Sequence, residues 1–304
     1  MTWMECAGCT LITFGPTIAM FFLVIARDPL RIILFVLGAF FWLMSLLISA
    51  LWWFAVVPLR EVLVFGLFFS IIFQELFRFL FFLLLRKAQK GLDKISTTGM
   101  EVAGVHSLKH ARHMIALVCG LGFGTMSGLF AVVNVFADSR GLGTVGLPEY
   151  IDNVENNRTT YTEENPHFFL TSSLSACAIV LLHVMWTVVF WNGCHHFAEN
   201  SSSTRWPFRA YVALPSVILS HFVTSGLSFF NENQYYCCSL LPTFTILIWM
   251  TVYAFYSADG RVAFWRRKST REDLTRNRLR CDGTDLNPQD SSVRSLLAQQ
   301  EENN

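Results

Sequence analysis

Seven long apolar runs, separated by shorter polar segments, dominate the chain. They cover approximately residues 6–26, 32–54, 62–85, 114–137, 168–191, 207–230 and 238–258. A helix rises about 1.5 Å per residue, so a run of about 20 apolar residues is long enough to cross the hydrocarbon core of a bilayer. The pattern therefore predicts an all-α polytopic membrane protein whose seven transmembrane helices occupy residues 1–258.

The composition agrees with this prediction. Of the 304 residues, 53% are hydrophobic and only 15% are charged, whereas about 25% of the residues in soluble domains are charged. The segment after the last apolar run, residues 259–304, is polar and rich in charged residues. It predicts a disordered tail that begins with a basic patch next to the membrane.

The basic residues are divided unequally between the two sides of the predicted bundle. Nineteen of the 23 lysines and arginines lie in the segments that follow predicted helices one, three, five and seven. The positive-inside rule assigns these segments to the cytosol. We therefore expect a lumenal or extracellular N-terminus and a cytosolic C-terminus.

Two glycosylation sequons bear on this orientation. The sequon that begins at Asn157 lies in the longest expected lumenal segment, residues 138–166, where a glycan could be attached. A second sequon begins at Asn200, on the expected cytosolic side, and should stay unmodified. Asn157 is thus the glycosylation candidate.

Three glycines, Gly120, Gly124 and Gly128, recur at intervals of four within the fourth apolar run. Residues four apart are offset by only about 40° around a helix, so the three form one stripe about 12 Å long. A surface without side chains lets another backbone approach closely, and the additional van der Waals contact holds the two helices together. The stripe predicts close packing, either with another of the seven helices or with a helix of a partner protein.

Two charged residues and two histidines lie deep inside predicted helices three, five and six. Glu75 and Arg78 are three residues apart and can pair on one helix face, and His183 and His221 follow in the later helices. A charge in the membrane costs at least about 2.5–3.5 kcal/mol on insertion scales, so these groups should face protein or water. Depths estimated from the helical rise place Glu75, Arg78 and His183 in one layer and His221 one or two turns nearer the lumen.

These positions predict a polar cavity inside the bundle that is open towards one side. Such a cavity could be a hydrogen-bonded structural site, or it could receive a polar segment of a partner. A zinc hydrolase is a further alternative, but zinc needs three protein ligands and an open position. Two histidines and one ion-paired glutamate barely supply that set, so we expect neither a metal nor another cofactor.

Two other functional classes lack the residues that they require. Intramembrane aspartyl proteolysis uses two carboxylic acids that share a proton, whereas Glu75 is the only acidic residue within a predicted span. A seven-helix receptor coupled to a G protein would carry an acidic-Arg-aromatic triplet after helix three and an Asn-Pro motif in helix seven. The segments "LLLRKAQKG" and "LLPTFTILIW" contain neither. We therefore assign no catalytic residue and expect no intrinsic enzymatic activity.

Several motifs together resemble the anterior-pharynx-defective family, the seven-helix scaffold subunit of gamma-secretase. In chain order they are "GCTLITFGPTIAMF", "IFQELFRFLFFLLLRKA", "GLGFGTMSGLF", "LLHVMW" and "SHFVTSGLSF". The resemblance covers residues 1 to about 258. It implies a non-catalytic scaffold that holds presenilin, nicastrin and the presenilin enhancer in one hetero-oligomeric membrane complex, in which presenilin supplies both catalytic aspartates.

The resemblance also implies roles for the residues identified above. It implies that the glycine stripe serves helix packing and assembly, and that His183 and His221, in the polar cavity with Glu75 and Arg78, serve presenilin association and activity. The expected function is therefore a scaffold that binds partner helices through the glycine groove and the polar cavity.

The family resemblance sets expectations for substrates and location as well. The assembled complex would cleave type I membrane proteins such as Notch and amyloid precursor protein, and the expected locations are the endoplasmic reticulum, Golgi, plasma membrane and endosomes. The lipid bilayer is an expected partner and nucleic acid is not. The acidic, asparagine-rich segment 138–166 and the tail 259–304 depart from what the family leads us to expect.

Overall fold

The computed structural model describes residues 3–59, 62–97, 112–138, 168–198, 208–231 and 236–257. Within these ranges the chain forms seven long helices, each apolar enough to cross a membrane. They are α1 (Trp3–Met20), α2 (Pro29–Ala55), α3 (Leu63–Thr97), α4 (Arg112–Asp138), α5 (Phe168–Ala198), α6 (Phe208–Leu227) and α7 (Tyr236–Ser257). The prediction of an all-α protein with seven potential membrane spans is confirmed.

Two helices extend beyond the apolar runs that predict them. α3 continues to Thr97 and α5 to Ala198, whereas the corresponding runs end at residues 85 and 191. Leu, Lys, Arg and Gln all favour a helix, so α3 continues after its hydrophobic segment has ended. The apolar pattern thus marks the membrane-spanning part of a helix rather than its last residue.

A short connection joins α1 to α2, and Asp28 and Pro29 determine where α2 begins. α1 continues into a π-helical turn at Phe21–Ile25. The Oδ1 atom of Asp28 then accepts a hydrogen bond of 3.0 Å from the backbone N–H of Leu30. Proline is favoured in the first turn of a helix, where its missing N–H is not needed, and Pro29 begins α2.

α4 and α5 form the centre of the bundle. In their membrane spans, 61% and 67% of the residues are buried by the rest of the chain, against 22–28% in the other five spans. α5 packs against one face of α4, and α2 packs against another. This arrangement places the glycine stripe and His183 in the middle of the molecule.

Asn157 and the tail lie outside the residues that the structure describes. Residues 139–167 and 258–304 are not among the described residues. The glycosylation site and the disordered tail therefore stay predictions.

Candidate functional site: a buried polar cluster

The glycine stripe faces α5 of the same chain. A methyl group at Gly124 would lie 2.5 Å from the carbonyl oxygen of Val180, and one at Gly120 would lie 2.9 Å from Cβ of Thr187. At Gly128 the added group would meet the side chain of Val180. The missing side chains therefore let the backbones of α4 and α5 come together.

This packing differs from the interpretation in which the groove receives a partner's helix. Because α5 already occupies the groove, a partner helix could reach the stripe only by displacing α5. Of the two alternatives that the spacing left open, the structure shows contact within the chain. The physical reason is that the same close-packing contact is available to a helix that is already tethered to α4.

A second glycine contact lies on another face of α4. A methyl group at Gly122 would meet the backbone carbonyl of Phe35 in α2, and one at Gly38 in α2 would meet the carbonyl oxygen of Cys119. This contact was not predicted from the sequence, because Gly122 lies off the stripe. A residue two positions along the helix from a stripe glycine points about 200° away from the stripe. This angle is the feature of the sequence from which a second packing face could have been predicted.

Glu75 and Arg78 form a buried ion pair, as their spacing of three residues predicts. The Nη1 atom of Arg78 lies 2.6 Å from Oε1 and 2.7 Å from Oε2 of Glu75. Only 6% of the glutamate surface and 0% of the arginine surface are exposed. Both charges are thus removed from lipid and from water.

The two histidines complete a network that joins three helices. The Nη2 atom of Arg78 lies 2.9 Å from Nδ1 of His183 in α5. The Nδ1 atom of His221 in α6 lies 2.7 Å from Oε1 of Glu75, and the two imidazole centroids are 5.3 Å apart. We refer to Glu75, Arg78, His183 and His221 as the polar cluster.

The position of His221 differs from the depth estimated from sequence. The estimate placed His221 one or two turns nearer the lumen than the other three residues, whereas the structure places it within hydrogen-bonding distance of Glu75. An estimate from the rise alone assumes that every helix is upright and starts at the same depth. Long side chains such as glutamate also reach along the bundle axis, which that estimate leaves out.

The polar cluster is enclosed in this structure, whereas the sequence predicts a cavity that is open towards one side. The indole of Trp186 stacks on His221, with ring centroids 4.3 Å apart, and Cζ of Arg78 lies 5.0 Å from the ring centroid of Phe123. The exposed fractions of His183 and His221 are 1% and 4%. The cluster is therefore enclosed by aromatic rings in the isolated chain.

Trp186 and Phe123 were not among the site residues predicted from the sequence. The chain contains 29 phenylalanines and 9 tryptophans, so residue type alone does not separate Trp186 and Phe123 from ordinary core residues. Trp186 is fixed in place because its Nε1–H donates to Oγ of Ser220 at 2.8 Å. The position of Trp186, three residues after His183, is the feature of the sequence that could have identified it as part of the site.

The chemistry of the polar cluster favours structural connection over catalysis. Both oxygens of Glu75 are engaged by Arg78 and His221, and within the described ranges no three potential ligands are placed to hold a metal ion. Glu75 is also the only buried carboxylate among the described residues, whereas aspartyl proteolysis needs two. The arrangement can hold α3, α5 and α6 together by charge-assisted hydrogen bonds.

The fold and the polar cluster define a polytopic membrane protein of seven helices whose interior is joined by a buried ionic network. The Aph-1 protein family model matches residues 4–261, and the chain belongs to the Aph-1 family. The resemblance read from the motifs is thereby confirmed.

Individual relatives agree with the family match. The gamma-secretase subunit Aph-1 of Drosophila melanogaster is 39% identical over 267 residues, which cover 88% of this chain and 98% of the relative. Gamma-secretase subunit Aph-1b of Danio rerio is 41% identical over 262 residues, 83% of this chain and 88% of the relative. Gamma-secretase subunit aph-1 of Caenorhabditis elegans is 38% identical over 268 residues, 86% of this chain and 83% of the relative.

Proposed function

We propose that this chain is the non-catalytic scaffold subunit of a gamma-secretase complex. The observation that carries the proposal is the match over 267 residues to a protein named gamma-secretase subunit Aph-1, of which 98% is covered. The single buried carboxylate of the described residues is ion-paired, which supports an accessory rather than a proteolytic role.

In this proposal the subunit assembles with presenilin, nicastrin and the presenilin enhancer, and presenilin provides the catalytic aspartates. The complex then cleaves type I membrane proteins such as Notch and amyloid precursor protein. The subunit resides in the membranes of the endoplasmic reticulum, Golgi, cell surface and endosomes. Its classification as an integral membrane protein is supported by the seven apolar helices.

The polar cluster contributes to presenilin association by fixing the relative positions of α3, α5 and α6. Its residues come from all three helices, so a change in one of them alters the surface that the others present. The Nε atom of Arg78 is buried and has no hydrogen-bond partner among the described residues. Because Arg78 is 0% exposed, this donor lies inside the bundle, and the cluster acts on presenilin through the positions of the three helices.

The glycine stripe contributes to assembly indirectly. Since Gly120 and Gly124 pack against α5, they keep the α4–α5 pair close and so shape the surface to which partners bind. A bulky residue at Gly124 is expected to abolish assembly by separating these helices, not by blocking a partner helix directly.

The proposed orientation places the N-terminus in the lumen and the C-terminus in the cytosol, because most lysines and arginines follow the odd-numbered helices. Endoglycosidase treatment of Asn157→Gln and Asn200→Gln variants tests this orientation. We expect the mobility shift to disappear only in the Asn157→Gln variant. A glycan attached at Asn200 would reverse the assignment.

Co-purification of the full-length chain tests the scaffold role. The tagged chain is extracted from cells in mild detergent, and its companions are identified by mass spectrometry. We expect presenilin, nicastrin and the presenilin enhancer in comparable molar amounts. Their absence from a folded preparation, or cleavage of peptides by the chain purified without companions, would contradict the proposal.

A further inference from the structure

Two buried polar atoms of α3 have no hydrogen-bond partner among the described residues. One is Nε of Arg78 and the other is Oε1 of Gln74. The other two nitrogens of the guanidinium are engaged, Nη1 by Glu75 and Nη2 by His183. Arg78 is 0% exposed, so its Nε–H does not reach solvent at the protein surface. A buried donor or acceptor without a partner is costly, so both atoms require one.

The two atoms belong to neighbouring side chains. Gln74 and Arg78 are four residues apart in α3, a spacing that places two side chains on the same helix face. Long side chains in a helix lean towards its N-terminus, and Arg78 does so to reach Glu75. Its Nε atom, the guanidinium nitrogen nearest to the main chain, is thereby directed towards the turn that carries Gln74. One atom donates and the other accepts, so the two are complementary.

The amide of Gln74 is held by another residue. Its Nε2–H donates to Oγ of Ser70 at 3.2 Å, one turn nearer the start of α3. Oε1 of Gln74 and Nε of Arg78 form no hydrogen bond with each other. Two polar groups that do not meet directly are routinely bridged by a water molecule.

The neighbouring part of α2 also carries polar side chains. Two ring contacts, with centroids 4.6 Å and 5.4 Å apart, pair Phe41 with Phe81 and Trp52 with Phe69. α2 therefore runs antiparallel to α3, and its residues between 41 and 52 lie beside the turn that carries Gln74. Ser45 and Ser49 belong to this stretch and are 0% and 8% exposed. A buried water needs two to four polar partners, and these hydroxyls make the surroundings of Gln74 polar.

We infer that one ordered water molecule is buried beside α3, where it accepts a hydrogen bond from Nε–H of Arg78 and donates one to Oε1 of Gln74. The water satisfies both atoms and makes Gln74 a positioning residue for Arg78. With Nε held, all three nitrogens of the guanidinium are fixed, and the hydrogen bond from Nη2 to His183 keeps its direction. The inference does not depend on the proposed function.

A structure of the full-length chain at a resolution that shows ordered waters tests the site without any substitution. The chain is purified in detergent with added lipid and crystallised in a lipidic phase. We expect a density peak at hydrogen-bonding distance from both Nε of Arg78 and Oε1 of Gln74. A direct bond between the two side chains, or the absence of a peak between them, would overturn the inference.

Two variants test whether the water depends on Gln74. Gln74→Met removes the amide at similar volume and should abolish the density peak. Ser70→Ala removes only the hydrogen bond between Ser70 and Gln74 and should leave the peak in place. Because Nε of Arg78 loses its partner only in Gln74→Met, this variant should melt about 2–4 °C below Ser70→Ala. A peak retained in Gln74→Met, or equal melting temperatures, would show that Gln74 does not hold the water.

A second measurement covers the case in which Gln74→Met does not fold. Gln74→Asn keeps an amide but is one methylene shorter, so it should not reach the same water. NMR on arginine labelled with ¹⁵N at Nε detects transfer of magnetisation from water to Nε–H, and the Arg78 signal is the one that Arg78→Lys lacks. We expect this transfer to be severalfold weaker in Gln74→Asn than in the original chain and unchanged in Ser70→Ala. Equal transfer in Gln74→Asn and the original chain would count against the site.

Discussion

The guanidinium of Arg78 donates a hydrogen bond of 2.9 Å to Nδ1 of His183. An arginine can only donate, so Nδ1 of His183 is the acceptor and the ring carries its proton on Nε2. The opposite holds for His221, whose Nδ1 lies 2.7 Å from the Glu75 carboxylate. A carboxylate paired with arginine accepts, so Nδ1 of His221 carries a proton. The two histidines of the polar cluster therefore do not have interchangeable roles.

This difference predicts which substitutions the cluster tolerates. The amide nitrogen of asparagine can occupy the position of Nδ1, whereas that of glutamine is nearer to Nε2. His221→Asn is therefore expected to keep the hydrogen bond to Glu75, and His221→Gln should be less stable by about 1–3 kcal/mol. Chemical unfolding in detergent measures the difference, and ¹⁵N NMR of labelled histidine reports whether Nδ1 of His221 is protonated. Equal stability of the two variants would contradict the assigned hydrogen bond.

The ion pair predicts strong coupling between Glu75 and Arg78. Glu75→Gln leaves the buried guanidinium without its carboxylate, and removing one partner of a buried pair costs about 3–5 kcal/mol. Replacing both residues by apolar ones of similar volume, as in Glu75→Leu with Arg78→Met, removes both charges together. We expect the double variant to lose clearly less stability than the sum of the two single variants.

A double-mutant cycle in detergent unfolding measures this coupling. Glu75→Leu and Arg78→Met are the single variants. Arg31→Met is a control, because the side chains of its ion pair with Asp28 are 33% and 41% exposed. The control loses a partly exposed ion pair and one hydrogen bond to the carbonyl of Val24, so it should change stability by only about 1–2 kcal/mol. Additive losses at Glu75 and Arg78 would show that the two charges do not interact.

The polar cluster also shows which features of the site can be predicted from the sequence. The spacing of Glu75 and Arg78 is sufficient to predict their pairing, because both lie on one helix and its geometry is fixed. The contacts of His183 and His221 depend on how α5 and α6 tilt against α3. A hydropathy pattern carries no information about the tilt of a helix. The sequence therefore predicts the polar residues of the site but not their hydrogen bonds or the aromatic enclosure by Trp186.

The glycine positions illustrate the same limit. The interval of four predicts one close-packed face on α4, and the structure shows such a face against Val180. Which helix fills the groove cannot be read from the interval, because a tethered helix and a partner helix offer the same backbone. The contact at Gly122 additionally requires a matching residue on α2, and Gly38 is one glycine among 18 in the chain.

The α4–α5 contact predicts that Gly124→Ala destabilises the bundle. The added methyl would lie 2.5 Å from the carbonyl oxygen of Val180, so the two backbones must separate. Overpacking of this kind costs about 1–3 kcal/mol. Gly15→Ala in α1 is the matched control, because an added methyl there has no atom within 4 Å among the described residues. Thermal unfolding in detergent should separate the two variants, and similar melting temperatures would contradict the close contact.

The contact between α2 and α4 makes a separate prediction at Gly122. Its added methyl would meet the backbone of Phe35 and lie 3.1 Å from the backbone nitrogen of Ala39, so Gly122→Ala should also destabilise by about 1–3 kcal/mol. Gly66→Ala is the control, since its methyl would lie 3.5 Å from the Trp53 ring, an ordinary contact. If only the α4–α5 contact mattered, Gly122→Ala would behave like the control.

The hydrogen bond between Trp186 and Ser220 predicts that Ser220→Ala costs more stability in the original chain than in a Trp186→Phe variant. Its Nε1–H donates to Oγ of Ser220 at 2.8 Å, and that hydroxyl in turn donates to the carbonyl of Val217 at 3.0 Å. Ser220→Ala leaves the buried indole N–H without its acceptor, which costs about 1–3 kcal/mol. In a Trp186→Phe background no donor is left unsatisfied, so adding Ser220→Ala should cost clearly less. Unfolding free energies of the four proteins measure this difference, and an equal cost of Ser220→Ala in both backgrounds would show that the indole does not depend on Ser220.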